Sequence, residues 1–307
     1  MRAIVVPAFG GPDVMELVEV PVPEPAAGQV LVQVRAAGVN AADPKIRAGE
    51  VAWLGDPPLP LGLEASGVVV AGDGAFPVGA EVFGAHFSPP GGYAEYWLMP
   101  ADALASRPAG LDHPHAAALP IAGLTAWQAL VEVAGLRAGQ RVLVHGAAGG
   151  VGHLAAQIAL ARGASVVGTA RAAKHAALRE LGLTELVDAT ATDFATAVRD
   201  VDVVLDAVGG DDAVRALDTL APGGMIVEVA GPARVHDELA RAAGPRGLRS
   251  ARVAVNPAAA GLAPLLDLVE RGALRVLVDR ILPLAEAAAA HRLLGSGRIT
   301  GKVVLVP

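Results

Sequence analysis

Cysteine is absent from all 307 residues. The chain therefore has no disulfide, no thiolate zinc site and no cysteine nucleophile. Aromatic residues make up only 3%. The core must be aliphatic, and Trp53, Trp97, Trp127, Tyr93 and Tyr96 stand out. Although 53% of the chain is hydrophobic, no unbroken apolar run approaches about 18 residues, so no membrane span is expected. Positive charge is in short supply, with 24 Lys and Arg against 31 Asp and Glu, a net −7. That balance argues against nucleic acid or an anionic membrane as the main partner. Met1-Arg-Ala-Ile-Val-Val-Pro7 reads as a strand, not a signal peptide, and a cytoplasmic protein is expected. The 8 histidines show no helical pair with metal spacing. His113-Pro-His115 comes nearest and reads as a solvated turn.

What is present is glycine in a particular order. The stretch Val142-Leu-Val-His-Gly-Ala-Ala-Gly-Gly-Val-Gly152 is an apolar strand running into a glycine-rich turn, and a helical run follows from His153. This is the entry to a dinucleotide site. The turn brings the backbone close to a pyrophosphate, and the N–H groups of the new helix face the phosphate oxygens. The spacing is Ala147-x-Gly149-x-x-Gly152, with alanine in place of the first glycine; Gly150 and Val151 complete the turn. A site for the unphosphorylated cofactor carries an acid roughly 20 residues further on, bound to the ribose 2′-hydroxyl. Here the second strand ends at Thr169 and is followed by Arg171 and Lys174, with no carboxylate. Cations pair with a 2′-phosphate, so NADP(H) is the expected cofactor.

Residues 1 to about 115 read as short Val-rich strands between Pro and Gly clusters, the pattern of a small barrel. From Pro120 strands alternate with helices, which predicts a parallel, doubly wound sheet. Helices are expected at 125–133, 153–162, 173–181, 194–198, 211–220, 262–271 and 284–294. Strands are expected at 141–144, 165–169, 186–188, 201–206 and 225–229, with a last strand at 301–306. The sheet edge near 253–255 is a candidate for pairing across a two-fold axis.

Several ordered segments carry a resemblance. They are Ala36-Ala-Gly-Val-Asn-Ala-Ala-Asp43, Leu61-Gly-Leu-Glu-Ala-Ser-Gly67, Gly91-Gly-Tyr-Ala-Glu95 and Gly123-Leu-Thr-Ala126. The Val142–Gly152 turn, Leu220-Ala-Pro-Gly-Gly224 and Gly301-Lys-Val-Val304 continue the series. The chain resembles the zinc-independent branch of the medium-chain dehydrogenase/reductase family, the quinone oxidoreductase and enone reductase group. The resemblance implies an α/β chain with a GroES-like β-barrel domain (1–118 and 265–307) and a Rossmann domain (119–264). It also implies an active-site cleft between the two domains and a homodimer. Zinc-dependent relatives place Cys where this chain has Val39-Asn40 and His where it has Leu63, so no metal is expected.

Without a metal to ionise an alcohol, the acceptor must take hydride readily. A quinone, or the β-carbon of an α,β-unsaturated ketone or aldehyde, fits that requirement. The protein then orients the reactants and stabilises charge on a carbonyl oxygen. By resemblance Lys45 and Asn40 are the catalytic candidates. Lys45 stabilises or protonates an enolate, and Asn40 donates to the same oxygen or holds a cofactor hydroxyl. The alternative is that Asp43 and Lys45 form a surface pair at a helix start, with Asp43 near the N-cap. The resemblance further places Thr125, Val208, Ala230, Gly231 and Asn256 along the cofactor. Trp53 and Leu54 line the substrate mouth or make a plain hydrophobic contact. His145 is read as a packing and hydrogen-bonding residue, and Lys302 as structural or cofactor-binding. Ala189 stands where many relatives have a Tyr beside the 2′-phosphate. Two other functions stay open. One is enoyl reduction or cyclisation of a polyketide-like substrate. The other is a low-turnover NADPH-binding structural or sensory protein.

Overall fold

A computed structural model of the chain describes residues 1–51, 54–72, 74–229, 231 and 233–307. It forms two compact units. The first comprises Met1–Ala122, Pro257–Leu266 and Val276–Pro307, the second Gly123–Asn256 and Asp267–Arg275. No helix among the described residues is long and apolar enough to cross a membrane.

The first unit opens with eight strands: β1 (Arg2–Val6), β2 (Glu16–Glu19), β3 (Gln29–Val39), β4 (Leu59–Pro60), β5 (Glu64–Gly72), β6 (Glu81–Ala85), β7 (Tyr96–Pro100) and β8 (Leu104–Ser106). Two short helices, α1 (Ala42–Arg47) and α2 (His113–Ala117), interrupt the β pattern. Strand β3 extends well past the Val-rich run that predicts it, because the small residues Ala36 and Ala37 continue its ladder against Ser66 and Ala65 on β5, and Gly38 pairs with Val304 near the C-terminus. Val6, Leu61, Leu63, Val82, Tyr93 and Met99 fill the core. Aliphatic side chains thus supply nearly all of its packing, as the composition requires.

After α3 (Pro120–Trp127) the second unit alternates strands β9 (Arg141–His145), β10 (Ser165–Ala170), β11 (Glu185–Asp188), β12 (Val201–Asp206), β13 (Leu220–Glu228) and β14 (Arg249–Arg252). The helices between them are α4 (Gly152–Ala161), α5 (His175–Glu180), α6 (Phe194–Ala197), α7 (Asp211–Arg215) and α8 (Ala233–Ala243). The sheet order is β11-β10-β9-β12-β13-β14 and every pairing is parallel. This is the doubly wound order, in which ligands bind beyond the carboxyl ends of the strands where the order reverses. Here that point lies between β9 and β12. Helix α4 is buried from Gly152 through Ala159, as expected of a helix apolar all round.

The chain then runs through α9 (Ala263–Glu270), β15 (Val278–Pro283), α10 (Ala287–Gly295) and β16 (Lys302–Val306). Strand β16 joins the first unit's sheet between β15 and β3. Unit one is therefore closed by residues from both ends of the sequence.

Several boundaries differ from the sequence reading. The helix expected over 125–133 is α-helical only to Trp127 and widens to a π-helix over Gln128–Val133. The helix expected over 211–220 tightens to a 3-10 turn at Ala216–Thr219. The strand expected at Met225 starts at Leu220, because the ladder shifts register between Val201 and Val203 and lets Pro222 and Gly223 bow out into solvent. At the sheet edge the strand is Arg249–Arg252, before the Val253–Val255 segment; of that segment Val253 alone still bonds, through its N–H, to Glu228 O.

Candidate functional site

The second unit builds its site at the carboxyl ends of β9, β10 and β12. Strand β9 ends at His145 and the chain turns through Gly146–Val151 into α4. Two bonds from the neighbouring strand hold the turn: Gly146 N–H donates to Thr169 Oγ1 at 3.0 Å, and Ala147 N–H to Thr169 O at 2.9 Å. Thr169 therefore shapes the turn with both its side chain and its backbone. Gly152 is where α4 crosses the turn most closely. A Cβ at that position would lie 2.2 Å from Gly146 O, so only glycine fits. Gly150, Val151 and Gly152 lead into the N-terminus of α4, where a helix leaves N–H groups without intrahelical acceptors and its dipole is positive. The geometry suits a pyrophosphate.

Beside it, Asp206 is wholly buried at the end of β12. Its Oδ1 lies 3.0 Å from His145 Nδ1 and accepts from Val208 N–H and Gly209 N–H, each at 3.1 Å. His145 stacks on Phe194, ring centroids 4.5 Å apart. The histidine thus pins β9 to β12 while the carboxylate fixes the Val208–Gly209 turn. Val208 itself is 51% exposed and its Cγ2 lies against Gly146, at the rim of the same turn. Asn256 is clamped by Gln128: its N–H donates to Oε1 and its O accepts from Nε2, both at 2.9 Å. Thr125 is buried on α3. Gly231 follows β13 with φ +118°. Ala230 and Trp53 lie outside the described residues. Leu54 packs, half-buried, against the core of the first unit.

At the end of β10, Arg171 is exposed and Lys174 half-buried on the following 3-10 turn. The sequence window past the glycines contains no acid, yet the fold supplies one. Asp188, opposite Ala170 on β11, accepts from Ala172 N–H at 3.2 Å, Thr190 N–H at 3.0 Å and Thr190 Oγ1 at 2.8 Å. The hydrogen bonds from Thr190 hold its pKa below the ordinary aspartate value.

The first unit contains a buried polar cluster. Lys302 Nζ donates to Glu64 Oε1 at 2.8 Å and to Asn40 Oδ1. Asn40 Nδ2 donates to the same Glu64 oxygen at 2.9 Å, and Glu64 Oε2 accepts from Ile121 N–H at 2.7 Å. The amide orientation follows from chemistry, since an ammonium only donates and a carboxylate only accepts. Gly38 makes room for the cluster: a Cβ there would lie 2.2 Å from Glu64 Oε1. Lys302 is thus a buried ion-pair partner, and Asn40 is drawn inward instead of standing free at a surface.

Asp43 corrects the sequence reading. It is fully buried, so it forms no surface pair with Lys45, which is exposed on α1. Helix α1 begins after Ala41 with no side-chain cap. Asp43 Oδ2 instead accepts from Asn40 N–H at 2.7 Å and Tyr93 Oη at 2.8 Å. Burial pushes the carboxyl up to about 7, against the pull of those bonds and of the Lys302 charge. A carboxyl that holds its proton more tightly when folded costs stability as it ionises. Between about pH 4 and pH 7 the folded chain carries the extra proton, so stability falls as pH rises through that window. We expect Asp43→Asn to flatten this slope relative to the parent in urea titrations at half-unit pH steps. An unchanged slope would exclude Asp43 as its source.

The second correction concerns His113. It is half-buried, with Nδ1 2.8 Å from Ser66 Oγ and Nε2 3.5 Å from Glu81. The Ser–His–Glu order suggests a nucleophile, but Ser66 is fully buried and its hydroxyl donates to Val82 O. The hydroxyl proton is committed, and the group ties α2 to the sheet.

The sequence reading gave no site role to Glu64, Tyr93, Asp188 or Asp206. Tyr93 stood out as a rare aromatic, and Glu64 and Tyr93 lie in segments that carry the resemblance; Asp188 and Asp206 had no signal beyond polarity at the end of an apolar strand. Among the described residues no group of three or more His, Asp or Glu is placed to hold a metal ion.

Comparison with known proteins agrees with this picture. Residues 26–109 match the alcohol dehydrogenase GroES-like domain family, and residues 181–305 the family described as zinc-binding dehydrogenase. The chain is 36% identical over 338 aligned positions to a 2-haloacrylate reductase from a Burkholderia species, covering 100% of this chain and 99% of that one. A quinone oxidoreductase structure from Coxiella burnetii superposes with a TM-score of 0.94 at 36% identity, covering 100% and 99%. The Escherichia coli quinone oxidoreductase complexed with NADPH gives 0.89 at 28% identity, covering both chains fully. The chain belongs to the zinc-independent quinone and enone reductase group of the medium-chain dehydrogenase/reductase family.

Proposed function

We propose that this oxidoreductase uses NADPH to deliver hydride to a quinone or to the β-carbon of an α,β-unsaturated ketone or aldehyde. The observation that carries the reading is the pairing of a pyrophosphate-sized turn at Gly146–Gly152 with Arg171 and Lys174 at the end of the next strand. The amides of Gly150–Gly152 hold the pyrophosphate, and the two cations pair with the 2′-phosphate. Asp188 is a half-buried carboxylate beside this turn, its Oδ1 accepting from Ala172 and Thr190, and the two cations outweigh its single charge at the 2′-phosphate. It holds the cation-bearing turn in place.

The bound nicotinamide supplies the hydride. The chain's residues orient the acceptor and meet the charge that develops on its oxygen. Asn40 keeps one Nδ2 N–H beyond its bond to Glu64. Lys302, donating to the amide oxygen, polarises that amide and strengthens the remaining N–H as a donor. The exposed Lys45 is assigned delivery of a proton to the enolate. The arginine-edged strand β14 is assigned to pairing between two copies of the chain.

The test follows NADPH absorbance with a quinone and with an enone. Turnover is expected with at least one, and none with either acceptor would sink the reading. Arg171→Ala with Lys174→Ala should raise the KM for NADPH about tenfold or more, consistent with about 1.5–3 kcal/mol per charged hydrogen bond, while the KM for NADH barely moves. Equal effects on both cofactors would remove the 2′-phosphate assignment. In the same assay, an unchanged kcat for Lys45→Ala with the enone would remove Lys45 as proton donor.

A further inference from the structure

Asp43 and Asn40 close a turn on one another. Asn40 N–H donates to Asp43 Oδ2 at 2.7 Å, and Asn40 O accepts from Asp43 N–H at 3.1 Å. The Asn40 side chain is meanwhile held by Lys302 and Glu64. Asp43 therefore fixes the backbone from which the Asn40 amide projects. The carboxyl that does so is unevenly supported. Oδ2 also accepts from the Tyr93 hydroxyl at 2.8 Å, while Oδ1 meets no donor among the described residues, although Asp43 is 0% exposed. A buried carboxylate needs donors at both oxygens, and burial without them favours the neutral acid.

Charges reach Asp43 from several elements. Lys302 on β16 favours its ionised form, Glu64 on β5 opposes it, and the two pair with each other at 2.8 Å. Neutral Asp43 leaves this cluster without net charge, whereas ionised Asp43 adds one uncompensated negative charge. Beyond Tyr93 stands His291 on α10, ring centroids 6.0 Å apart, and Arg47 Nη1 on α1 donates to His291 Nδ1 at 2.9 Å. Burial and the Arg47 charge hold His291 down to about 4, and burial pushes the Tyr93 hydroxyl well up. Both are therefore neutral around pH 7, where Asp43, raised by burial to about 7, changes charge.

We infer that Asp43 is a positioning residue that works as a neutral acid: it fixes Asn40 through the backbone and keeps the cluster behind the Asn40 amide free of net charge while the acceptor's oxygen turns negative. The inference rests on the assignment of Asn40 as a donor to that oxygen. With an enone, a C–H bond of the reduced nicotinamide breaks, a C–H bond forms at the β-carbon, and the displaced electron pair comes to rest on the carbonyl oxygen. The free Nδ2 N–H of Asn40 meets that charge. An ionised Asp43 would put a second negative charge in the same low-dielectric interior and oppose it. Asp43 itself neither gives nor takes a proton in this step.

The test is the pH profile of single-turnover NADPH oxidation by the full chain, with 3-penten-2-one and with 1,4-naphthoquinone. In the parent the rate is expected to fall roughly tenfold as pH rises through about 7, the effect of one added charge in the interior. Asp43→Asn keeps the shape and cannot ionise, so its rate should change less than about twofold over the same range. A purely structural Asp43 would scale every rate alike and leave the profile's shape unchanged. Tyr93→Phe removes a donor that favours the ionised carboxyl, so its fall should move to higher pH by about half a unit or more. That variant decides the matter if Asp43→Asn fails to fold. A flat parent profile, a parent-like fall in Asp43→Asn, or an unmoved midpoint in Tyr93→Phe overturns the inference alone. No turnover of either acceptor by the parent overturns the hydride-transfer reading and this inference with it.

Discussion

Lys302→Met is expected to lower stability by about 3–5 kcal/mol, the usual cost of removing one partner from a buried ion pair. The arrangement explains why the upper part of that range applies. Glu64 is fully buried and Lys302 is 3% exposed. With the ammonium gone, Glu64 keeps only the N–H groups of Asn40 and Ile121, and Asn40 Oδ1 loses its donor. A carboxylate held only by neutral donors in a buried site is costly unless it is neutralised or solvent enters. Gly38 packs directly on the carboxylate and allows little rearrangement. The partner variant separates the charge from the packing: Lys302→Met combined with Glu64→Gln should recover most of the loss, because no buried charge remains. Urea denaturation of the parent, both single variants and the double variant measures this as a double-mutant cycle. A loss under 1 kcal/mol for the single Lys302 variant would mean that the pair is solvated in solution.

The cluster also shows which parts of the molecule a sequence discloses. The alternation of strands and helices after Pro120 was legible because hydrophobic period and turn residues are local. So was the glycine turn, whose neighbours on both sides fit a strand and a helix. Glu64 and Lys302 stand 238 residues apart, and nothing local in Gly62-Leu63-Glu64 or Gly301-Lys302 says that they meet. The missing acid near Arg171 was a similar case. Counting along the chain from Gly152 finds none, while parallel pairing of β10 with β11 sets Asp188 opposite Ala170. The alternative that placed Asp43 at a helix cap fails for a different reason. An aspartate near a helix start usually caps it, but this one turns back to the N–H of Asn40 and inward to Tyr93. Capping and burial compete for the same residue type, and local sequence does not say which wins. The strand expected from Met225 begins at Leu220, because the ladder absorbs Pro222 and Gly223 as a bulge.

Gly152→Ala should abolish tight cofactor binding. The new Cβ would sit 2.2 Å from Gly146 O and 2.8 Å from Ala147 Cα. Both are backbone atoms, so no side chain can swing away. Relief requires α4 to move back from the turn by about 1 Å, and a misplacement of that size in an orienting element costs on the order of a hundredfold. Overpacking at so tight a contact also costs about 1–3 kcal/mol of stability. The turn has little freedom to share the shift, because Thr169 holds Gly146 and Ala147 from β10. Fluorescence titration with NADPH reads the effect without any acceptor substrate: the dissociation constant is expected to rise at least a hundredfold. Gly149→Ala is the control in the same turn. Its Cβ would meet only Gly146 O, at 3.3 Å, a contact that a few tenths of an ångström relieves, and its affinity should fall less than tenfold. Equal losses in the two variants would trace the effect to general damage in the turn. Wild-type affinity in Gly152→Ala would show that the dinucleotide is held elsewhere.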